Sequence, residues 1–537
     1  MTTIERIRAD LSKPAAYPGP VGQDGVQIEE THASLVFLAG EFVYKVKKPV
    51  DFGFLDFSTL EKRLFCCREE LRLNRRLTDD VYLDVVPIVE GAAGLRIGAM
   101  SEWNQAVEYA VKMRRLPQER ILGQILDDGF SEGGIFPALF DRLAAFYQTA
   151  ATGEGIDEWG TPRAVLFNID ENVEQTRPYL GRVIAPVQLE LIERISHEFV
   201  EGQPELFARR LANGKIREGH GDLHLKHIWI GNRGERPDDI QIIDCIDFNP
   251  RLRCGDIAVD LAFLAMDLRF RNWPGLDRMI ASHMARKLKD ADLPRLIHFF
   301  SIYRAHVRNK VACFTADAMQ PGSAAERKLL EEAERYIDLA TSYMVETKQP
   351  TLIVVGGLPA TGKSVLARRI GHSLGIPFLN SDITRKELAG RAIESHDPQH
   401  FEQGIYQPKL TERTYQAMLD RARIQLNSGR SVVLDATFLD PKWREAARGI
   451  ATTAGAGCLL VETRARREVV QERLARRAAE GGDPSEAHLE VYEGMRARFG
   501  ETIQAVASMD QLAVDAERPL ALSLNDVLAH LSLSQRL

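Results

Sequence analysis

Hydrophobic positions change their spacing along the chain, and the pattern predicts two regions of different architecture. The early stretch SLVFLAGEFVYKVKKP reads as two strands around a turn at Gly40, and LEKRLFCCREELRLNRRL then has the spacing of a long helix. Over 251–344 the apolar spacing is mostly helical. The N-terminal region is therefore predicted to begin as a sheet with a helix and to continue as a largely helical lobe.

The C-terminal third alternates short apolar runs with helical segments. The runs TLIVVGG, PFLNSD, SVVLDAT and CLLVET are typical of strands in a parallel sheet built from βαβ units. A helical stretch over 323–345 precedes the first of them, and the pattern then changes abruptly to a buried strand. We therefore place a domain junction near Thr347 and expect a doubly wound parallel sheet after it.

Composition and charge limit the classes of protein to consider. The 537-residue chain has 45% hydrophobic and 27% charged residues, as ordinary globular proteins do, and its length predicts two or three domains. A formal net charge of −7 argues against broad attraction to nucleic acid or anionic membranes. The six cysteines form no CxxC pair, and neither a signal peptide nor an apolar run of about 18 residues is present. We therefore expect a cytoplasmic protein without a membrane partner.

The strongest motif is GLPATGKS, which stands between a predicted strand and a predicted helix. Glycines let backbone N–H groups converge on phosphate oxygens, and the following helix adds the positive end of its dipole. Lys363 would hold the β and γ phosphates of ATP, and Ser364 would ligate Mg²⁺. The residues that this motif assigns to nucleotide binding are Gly357, Ala360, Thr361, Gly362, Lys363 and Ser364.

Candidate catalytic residues follow this motif. Asp382 ends a strand at the edge where open α/β sheets bind ligands, so it is a candidate base, and Arg385 would orient an acidic or phosphorylated acceptor. A helix cap at Asp382 is an alternative of equal weight. Asp435 ends SVVLDAT and is a candidate Walker B carboxylate that holds Mg²⁺ through water, with a simple turn residue as the alternative. A basic helical face that would close over the phosphates, or simply lie in solvent, consists of Arg473, Arg476 and Arg477.

The segment 350–510 resembles the P-loop kinases that include polynucleotide kinases, gluconate kinases and zeta toxins. GLPATGKS followed by SDITR is similar to the polynucleotide kinase pattern. The resemblance implies ATP-dependent phosphorylation of a hydroxyl, with Lys363 at the phosphates, Asp382 as the general base and Arg385 as a catalytic clamp. The substrate class does not transfer with the scaffold. We rank a 5′-hydroxyl polynucleotide first as the acceptor and a small sugar or sugar nucleotide second.

A second constellation, EGHGDLHLKH followed by QIIDCIDF, resembles the catalytic and metal loops of aminoglycoside phosphotransferases and their choline and fructosamine kinase relatives. The resemblance implies a bilobal, protein-kinase-like fold with Asp222 as the base. It assigns Mg²⁺ to Asp244, with Asp247 as an alternative ligand. It further implies that Lys45 in FVYKVKK contacts the ATP phosphates and that Glu69 in CCREELRL is its helix partner.

One position departs from that family. His227 stands where the family has asparagine, and imidazole is a poor ligand for Mg²⁺. His227 is therefore either a metal ligand, with Mn²⁺ as an alternative to Mg²⁺, or a hydrogen-bond partner of Asp222 in a domain with weakened catalysis. A zinc site of His220, His224 and His227 is a less favoured interpretation.

The two constellations together predict an α/β and α+β chain that resembles a bacterial fusion of two kinase-like domains. Residues 1–346 would form the aminoglycoside phosphotransferase-like domain, with a small lobe at about 25–115 and a helical lobe at about 116–346, and residues 347–537 the P-loop kinase domain. The predicted function is a bipartite ATP-dependent kinase with two nucleotide sites. A P-loop kinase regulated by a catalytically weak N-terminal ligand-binding domain and an ATP-switched interaction protein remain alternatives, and the sequence does not indicate an oligomeric state.

Overall fold

The computed structural model describes most of the chain, namely residues 3–22, 25–53, 55–128, 134–231, 239–273, 275–345, 350–391, 407–480, 489–500, 502–503, 506 and 509–533. Its contacts define two compact units. Unit 1 comprises Met1–Ile169 and Ser196–Arg304, and unit 2 comprises Asp170–Ile195 and Ala305–Leu537. Among the described helices, none combines the length and the apolar character needed to cross a membrane.

Unit 1 begins with an antiparallel sheet of six strands in the order β1-β2-β3-β6-β4-β5. The strands are β1 Val26–Glu30, β2 Ser34–Ala39, β3 Phe42–Lys47, β4 Tyr82–Gly91, β5 Gly94–Ile97 and β6 Glu108–Arg114. The predicted hairpin is confirmed as β2 and β3. Its turn needs glycine, because Gly40 has φ 63° and a Cβ there would lie 2.7 Å from Pro20 O.

The rest of unit 1 is mainly helical, as the apolar spacing predicts. Two short antiparallel pairs interrupt the helices, β7 Ile216–Glu218 with β10 Cys254–Asp256 and β8 Ile228–Ile230 with β9 Ile240–Ile242. The helices from the N-terminus to Asp317 are α1 Thr3–Leu11, α2 Leu60–Asn74, α3 Leu122–Asp127, α4 Ile135–Thr149, α5 Pro162–Thr176, α6 Pro186–Glu201, α7 Pro204–Ala212, α8 Pro250–Arg253, α9 Ile257–Phe270, α10 Leu276–Lys287 and α11 Leu293–Asp317. The division between the two units falls within α5, α6 and α11, which each contribute residues to both units. A sheet followed by a helical part is the order of the predicted bilobal kinase-like fold.

Unit 2 contains a five-stranded parallel sheet in the order β12-β13-β11-β14-β15. The strands are β11 Thr351–Gly356, β12 Phe378–Asn380, β13 Val432–Asp435, β14 Gly457–Arg464 and β15 Asp510–Asp515. The remaining helices are α12 Ala324–Val345, α13 Lys363–Leu374, α14 Ser381–Leu388, α15 Pro408–Asn427, α16 Pro441–Thr453, α17 Arg467–Glu480, α18 Leu489–Phe499 and α19 Leu520–Leu533.

The central strand β11 is buried on both faces of this sheet. Leu352 and Val354 belong to an apolar cluster with residues of α15 and α16, whereas Ile353 and Val355 belong to a second cluster with residues of α13 and α19. Such a strand reads as a continuous hydrophobic run because helices cover both faces. The predicted doubly wound parallel sheet is confirmed.

The helix α12 packs within unit 2, although the sequence assigns it to the N-terminal domain. Asp338 on α12 accepts hydrogen bonds from Arg369 Nη1 at 2.5 Å and from Ser373 Oγ at 3.1 Å, both on α13. The compact unit therefore differs from the predicted domain 347–537, because a buried carboxylate fastens the preceding helix to the P-loop helix. The predicted junction at Thr347 itself lies outside the described residues.

Candidate active sites

The loop between β11 and α13 has the backbone shape of an anion cradle. Gly357 has φ 150° and Gly362 has φ 95°, and a Cβ on Gly357 would lie 2.6 Å from Thr463 Oγ1. Both positions therefore need glycine. Helix α13 begins directly at Lys363, so the side chains of Lys363 and Ser364 stand at its positive end. The loop fits the nucleotide-binding role that the motif predicts.

The strands β12 and β13 end side by side next to this loop, with Asn380 opposite Asp435 in the register. Asn380 Nδ2 donates to Asp435 Oδ2 at 2.6 Å, whereas the buried Asp435 Oδ1 has no hydrogen-bond partner among the described residues. Burial raises the pKa of Asp435, and the nearby Lys363 and Ser364 oppose that rise. An unpartnered carboxylate oxygen close to Ser364 is a donor set that suits Mg²⁺.

Asp382 and Arg385 form an ion pair in α14, with Arg385 Nη1 and Asp382 Oδ1 2.5 Å apart. The N-cap of this helix is Asn380, whose side-chain oxygen accepts from Ile383 N at 2.9 Å. The interpretation of Asp382 as a helix cap is therefore wrong, because Asn380 already fills that position. The charge of Asp382 also adds to the raised pKa of Asp435, so both carboxylates lie at one sheet edge.

One of the three predicted lid arginines contacts the P-loop. Arg473 donates through Nη2 to Ala516 O at 2.6 Å and through Nη1 to Ala360 O at 3.4 Å. Arg476 is exposed, as one alternative predicts, and the side chain of Arg477 lies outside the described part of the chain. Thr361 closes the loop by donating to the carbonyl of Leu358 at 2.8 Å.

In unit 1, two lysines of β3 share one buried carboxylate of α2. Lys45 Nζ lies 2.9 Å from Glu70 Oε1, and Lys47 Nζ lies 2.8 Å from Glu70 Oε2. Lys45 also contacts Asp244 Oδ1 at 2.8 Å, and Lys47 contacts Asp247. The predicted lysine, the predicted metal carboxylates and a helix glutamate thus meet in one ionic network.

The predicted partner of Lys45 is wrong by one residue. Glu69 instead binds Arg72 at 2.8 Å and approaches Arg253 at 3.5 Å. The reason is the phase of α2, whose buried face includes Arg63, Cys66, Cys67, Glu70, Leu73 and Asn74. Glu69 lies off that face because neighbouring residues of a helix point about 100° apart.

Of the two candidate metal carboxylates, Asp244 is the open one. Its side chain is 45% exposed, whereas that of Asp247 is 8% exposed and is engaged by Lys47. Desolvation acts to raise the pKa of Asp244, but the charges of Lys45 and His227 outweigh it and hold the pKa below its ordinary value. Burial raises the pKa of Asp247. These differences favour Asp244 as the metal ligand.

His227 lies between the predicted base and the predicted metal ligand. Its Nδ1 donates to Asp222 O at 3.0 Å, and its Nε2 lies 3.5 Å from Asp244 Oδ2. Burial and the neighbouring His224 lower the pKa of His227, so the ring is neutral and Nε2 carries a lone pair. Among the described residues, Asp222, His224 and His227 place donor atoms within 4.8 Å of one another.

The zinc site that includes His220 is wrong. His220 Nε2 donates to Ile243 O at 3.0 Å, and its Nδ1 accepts from Asp222 N at 3.2 Å, so both ring nitrogens are engaged. Burial lowers the pKa of His220 to about 3, which keeps the ring neutral. His220 instead braces the loop that carries Asp222.

Three residues of these sites are absent from the sequence-based prediction. Lys47 shares a face of β3 with Lys45, and alternation along the strand was the available signal. Glu70 was available from the helical phase of α2. Asn380 gave no signal beyond its place at a strand end, because its partner Asp435 is distant in the sequence.

Comparison with known proteins agrees with the P-loop prediction. A family model described as an AAA domain matches residues 352–502. A shikimate kinase of Xanthomonas oryzae pv. oryzae is 34% identical over 86 residues, which is 16% of this chain and 46% of that protein. The predicted P-loop kinase domain and the assignment as a phosphotransferase are confirmed at this level, and P-loop kinases in general use ATP and Mg²⁺.

Two further similarities extend over larger parts of the chain. The solved structure of a choline/ethanolamine kinase family protein from Mesorhizobium loti is 13% identical, covers 63% of this chain and 95% of its own, and gives a TM-score of 0.36. The uncharacterized protein Rv2004c of Mycobacterium tuberculosis is 32% identical over 473 residues, which is 88% of this chain and 90% of that protein. The chain therefore belongs to the same protein family as Rv2004c.

Proposed function

We propose that the protein is a bipartite ATP-dependent kinase with one phosphotransfer site in each unit. The observation that carries this proposal is the sheet edge of unit 2. There the P-loop residue Lys363, the unpartnered oxygen of Asp435 and the ion pair of Asp382 with Arg385 lie together. A nucleotide cradle, a metal carboxylate and a candidate base are the parts that phosphoryl transfer needs.

In unit 2 the acceptor hydroxyl loses its proton to Asp382 as its oxygen attacks the γ-phosphorus of ATP. The bond from that phosphorus to the β–γ bridging oxygen breaks, and ADP is released. Lys363 and the N–H groups of the loop hold the phosphates, while Arg385 fixes the orientation of the Asp382 carboxylate. Mg²⁺, which Ser364 and Asp435 would hold, neutralises phosphate charge when it is bound.

The acceptor of unit 2 that we propose first is a 5′-hydroxyl polynucleotide, and the second is a small sugar or sugar nucleotide. The ion pair of Asp382 and Arg385 supports either one, because it sets a proton acceptor beside a cation that suits a phosphorylated or acidic acceptor. We rank the polynucleotide above the sugar because GLPATGKS followed by SDITR resembles the polynucleotide kinase pattern. The ranking does not rest on a surface on which nucleic-acid bases could stack.

In unit 1, Asp222 is the proposed base, and Lys45, held by Glu70, is the proposed phosphate ligand. The facing acceptors His227 Nε2 and Asp244 Oδ2 fit a bound cation, because a cation removes the repulsion between a lone pair and a carboxylate. Mg²⁺ or Mn²⁺ held there would neutralise phosphate charge, and the imidazole favours Mn²⁺.

A regulatory unit 1 is the second candidate. The two imidazoles beside the Asp222 carboxylate support it, because His224 Nε2 and His227 Nδ1 lie 3.5 Å and 3.6 Å from Asp222 Oδ2 and leave less room there for an acceptor hydroxyl. In that case unit 1 binds a ligand, and unit 2 alone carries out the chemistry.

The test is transfer of labelled γ-phosphate from ATP to 5′-hydroxyl oligonucleotides, sugars, sugar nucleotides and aminoglycosides. The parent is compared with Lys363→Ala, Asp222→Ala, the double variant and Lys328→Ala, an exposed lysine of α12 that serves as the control. We expect each single variant to lose one class of labelled product and the double variant to lose both. Full activity in the double variant would refute the proposal, and loss of every product in Lys363→Ala alone would favour the regulatory unit 1.

A further inference from the structure

The backbone at Asp244 is strained. Its φ is 65°, in the left-handed region, which costs a residue with a Cβ about 1–2 kcal/mol. Such a conformation persists where the surrounding contacts determine it. In this conformation one oxygen of the Asp244 carboxylate lies 2.8 Å from Lys45 Nζ, and the other lies 3.5 Å from His227 Nε2. The contacts that hold the backbone of Asp244 therefore also position the proposed metal ligand.

Two side chains bind the N–H groups on either side of the Asp244 Cα. Asp244 N donates to Tyr82 Oη at 3.2 Å, and Cys245 N donates to Asn74 Oδ1 at 2.9 Å. A peptide group is planar, so only φ and ψ of Asp244 can rotate between these two peptide groups. Because each group is held by its own acceptor, the two hydrogen bonds together restrain both dihedral angles of Asp244.

The neighbouring N–H groups are held by the loop of the proposed base. Ile243 N donates to His227 O at 3.0 Å, and Ile246 N donates to His220 O at 3.0 Å. The two histidines lie on either side of Asp222 in the chain. Four consecutive N–H groups are thus engaged, and the inner two connect the segment to β4 and α2 rather than to this loop.

Asn74 has a fixed orientation at the end of α2. It is 1% exposed, and its Nδ2 donates to Glu70 O at 2.8 Å, so Oδ1 is the atom that faces Cys245 N. Glu70 lies one helical turn earlier and holds Lys45 through its side chain. One turn of α2 therefore holds both the predicted nucleotide lysine and the backbone next to the proposed metal ligand.

Burial makes the two side-chain acceptors hard to replace. Tyr82 is 3% exposed and belongs to an apolar cluster with Cys67 and Val111, and Cys245 is also 3% exposed. A buried N–H group that loses its acceptor costs about 1–3 kcal/mol. Loss of either acceptor therefore removes a stabilisation as large as the strain at Asp244, and the segment should relax to another backbone conformation.

We infer that Tyr82 and Asn74 are positioning residues of unit 1, which keep Asp244 in the conformation that presents its carboxylate to a bound cation. The inference rests on the cation site proposed for Asp244 and His227. Tyr82 and Asn74 act through the backbone of Asp244 and not by contact with the cation. Their replacement should therefore change the affinity for the cation and not only the stability of the fold.

The test is a titration of the full chain with Mn²⁺ without nucleotide, in which the electron paramagnetic resonance signal of free Mn²⁺ measures binding. Binding that disappears in Asp244→Ala defines the unit 1 site. Tyr82→Phe keeps the ring and removes the acceptor, and we expect it to weaken this binding by at least about fivefold. Tyr109→Phe is the matched control and should bind Mn²⁺ as the parent does. Tyr109 belongs to the same apolar cluster, and its hydroxyl forms no hydrogen bond with the described residues.

Hydrogen exchange adds a readout that needs no metal. The amides of 243–246 should exchange faster in Tyr82→Phe than in the parent or in Tyr109→Phe. Asn74→Leu removes the second acceptor and should weaken Mn²⁺ binding in the same direction, and its thermal unfolding is compared with that of the parent because Asn74 is buried.

The outcomes separate this inference from the proposed function. Unchanged Mn²⁺ affinity in Tyr82→Phe, unchanged exchange at 243–246, or an equal loss of affinity in Tyr109→Phe would overturn the positioning role and leave the cation site intact. Absence of Asp244-dependent Mn²⁺ binding in the parent would refute the cation site and this inference with it.

Discussion

Glu70 Oε1 lies 2.9 Å from Lys45 Nζ, and this contact makes Glu70 the carboxylate that serves the predicted nucleotide lysine. Glu70 is 1% exposed and also holds Lys47 at 2.8 Å. The buried carboxylate of Glu70 and the buried ammonium group of Lys47 are tolerated in the protein interior only because each is paired with an opposite charge.

Replacement of this shared carboxylate should be severe. Glu70→Gln leaves the buried ammonium group of Lys47 and the partly exposed one of Lys45 with less compensation, so we expect the free energy of unfolding to fall by about 3 kcal/mol. Chemical denaturation measures that change. Glu69→Gln is the matched control, since it removes only ion pairs with Arg72 and Arg253, and it should cost less than about 1 kcal/mol. Equal losses in the two variants would contradict this account of the network.

Local sequence patterns predict the parts of the fold that are determined by residues close together in the sequence. The hairpin at Gly40 and the P-loop at Gly357 and Gly362 are of this kind, because a turn with positive φ constrains the residue itself. The choice between Glu69 and Glu70 is different. It depends on which face of α2 packs against the sheet. Because charged residues occur on several faces of this helix, the sequence does not show which of them is buried.

Long-range partners account for the remaining differences. Helix α12 is amphipathic in the sequence, but the burial of Asp338 is explained only by its distant partners Arg369, Ser373 and Gln188. Strand β15 is a similar case, since DQLAVD has a weak apolar pattern and gains its place by pairing with β14. Such partners are separated along the chain, so spacing alone does not identify them.

The Asn380 side chain makes two hydrogen bonds, and the loss of each should lower the free energy of unfolding. Asn380→Ala removes the N-cap of α14 and leaves Asp435 Oδ2 without its 2.6 Å hydrogen bond. We expect a loss of about 1 kcal/mol from the cap and about 1–3 kcal/mol more from the unpaired buried oxygen. Thr59→Ala, which removes the exposed N-cap of α2 without leaving a buried oxygen unpaired, is the control and should cost about 1 kcal/mol in denaturant unfolding. Similar losses would show that the bond to Asp435 contributes little.

His306 should make unit 2 sensitive to acid. Its Nε2 lies 2.9 Å from Thr176 Oγ1, its Nδ1 has no partner among the described residues, and burial lowers its pKa to about 3. The unfolded chain takes up the proton near pH 6.5. Stability is therefore intact above pH 6.5 and is lost as pH falls toward 3, by about 1.4 kcal/mol per pH unit.

The comparison of the parent with His306→Gln isolates this contribution, because the amide does not titrate. Between pH 7 and pH 5 we expect the parent to lose about 2 kcal/mol more unfolding free energy than the variant. Denaturant titrations at several pH values measure the difference. A difference that stays constant over this range would show that His306 is protonated alike in the folded and unfolded states.

Replacement of Gly362 should weaken nucleotide binding in addition to straining the backbone. Gly362→Ala places a Cβ 3.5 Å from Arg473 Nη1 at φ 95°, within the proposed phosphate loop. Gly375→Ala, at the end of the same helix, has φ 60° with no atom within 4 Å of the added Cβ. Both should lose about 1–2 kcal/mol of stability, but only Gly362→Ala should weaken ATP binding, by about tenfold or more in a calorimetric titration. Equal ATP affinities would contradict the assignment of this loop.

The pairing of Asp382 with Arg385 separates a catalytic role from a structural one. Asp382→Asn keeps the shape and a hydrogen-bonding oxygen for Arg385 but removes the proton acceptor, so we expect kcat for the unit 2 product to fall by about 10²–10⁴-fold. The KM for ATP should stay close to that of the parent, because the P-loop holds the phosphates. Asp440→Asn is the matched control in unit 2, since that aspartate caps α16 and pairs with the exposed Lys442, and its kcat should not change. Asp382→Asn could instead raise KM and lower the melting temperature without changing kcat. That result would show that the ion pair stabilises the sheet edge and that another group accepts the proton of the acceptor hydroxyl.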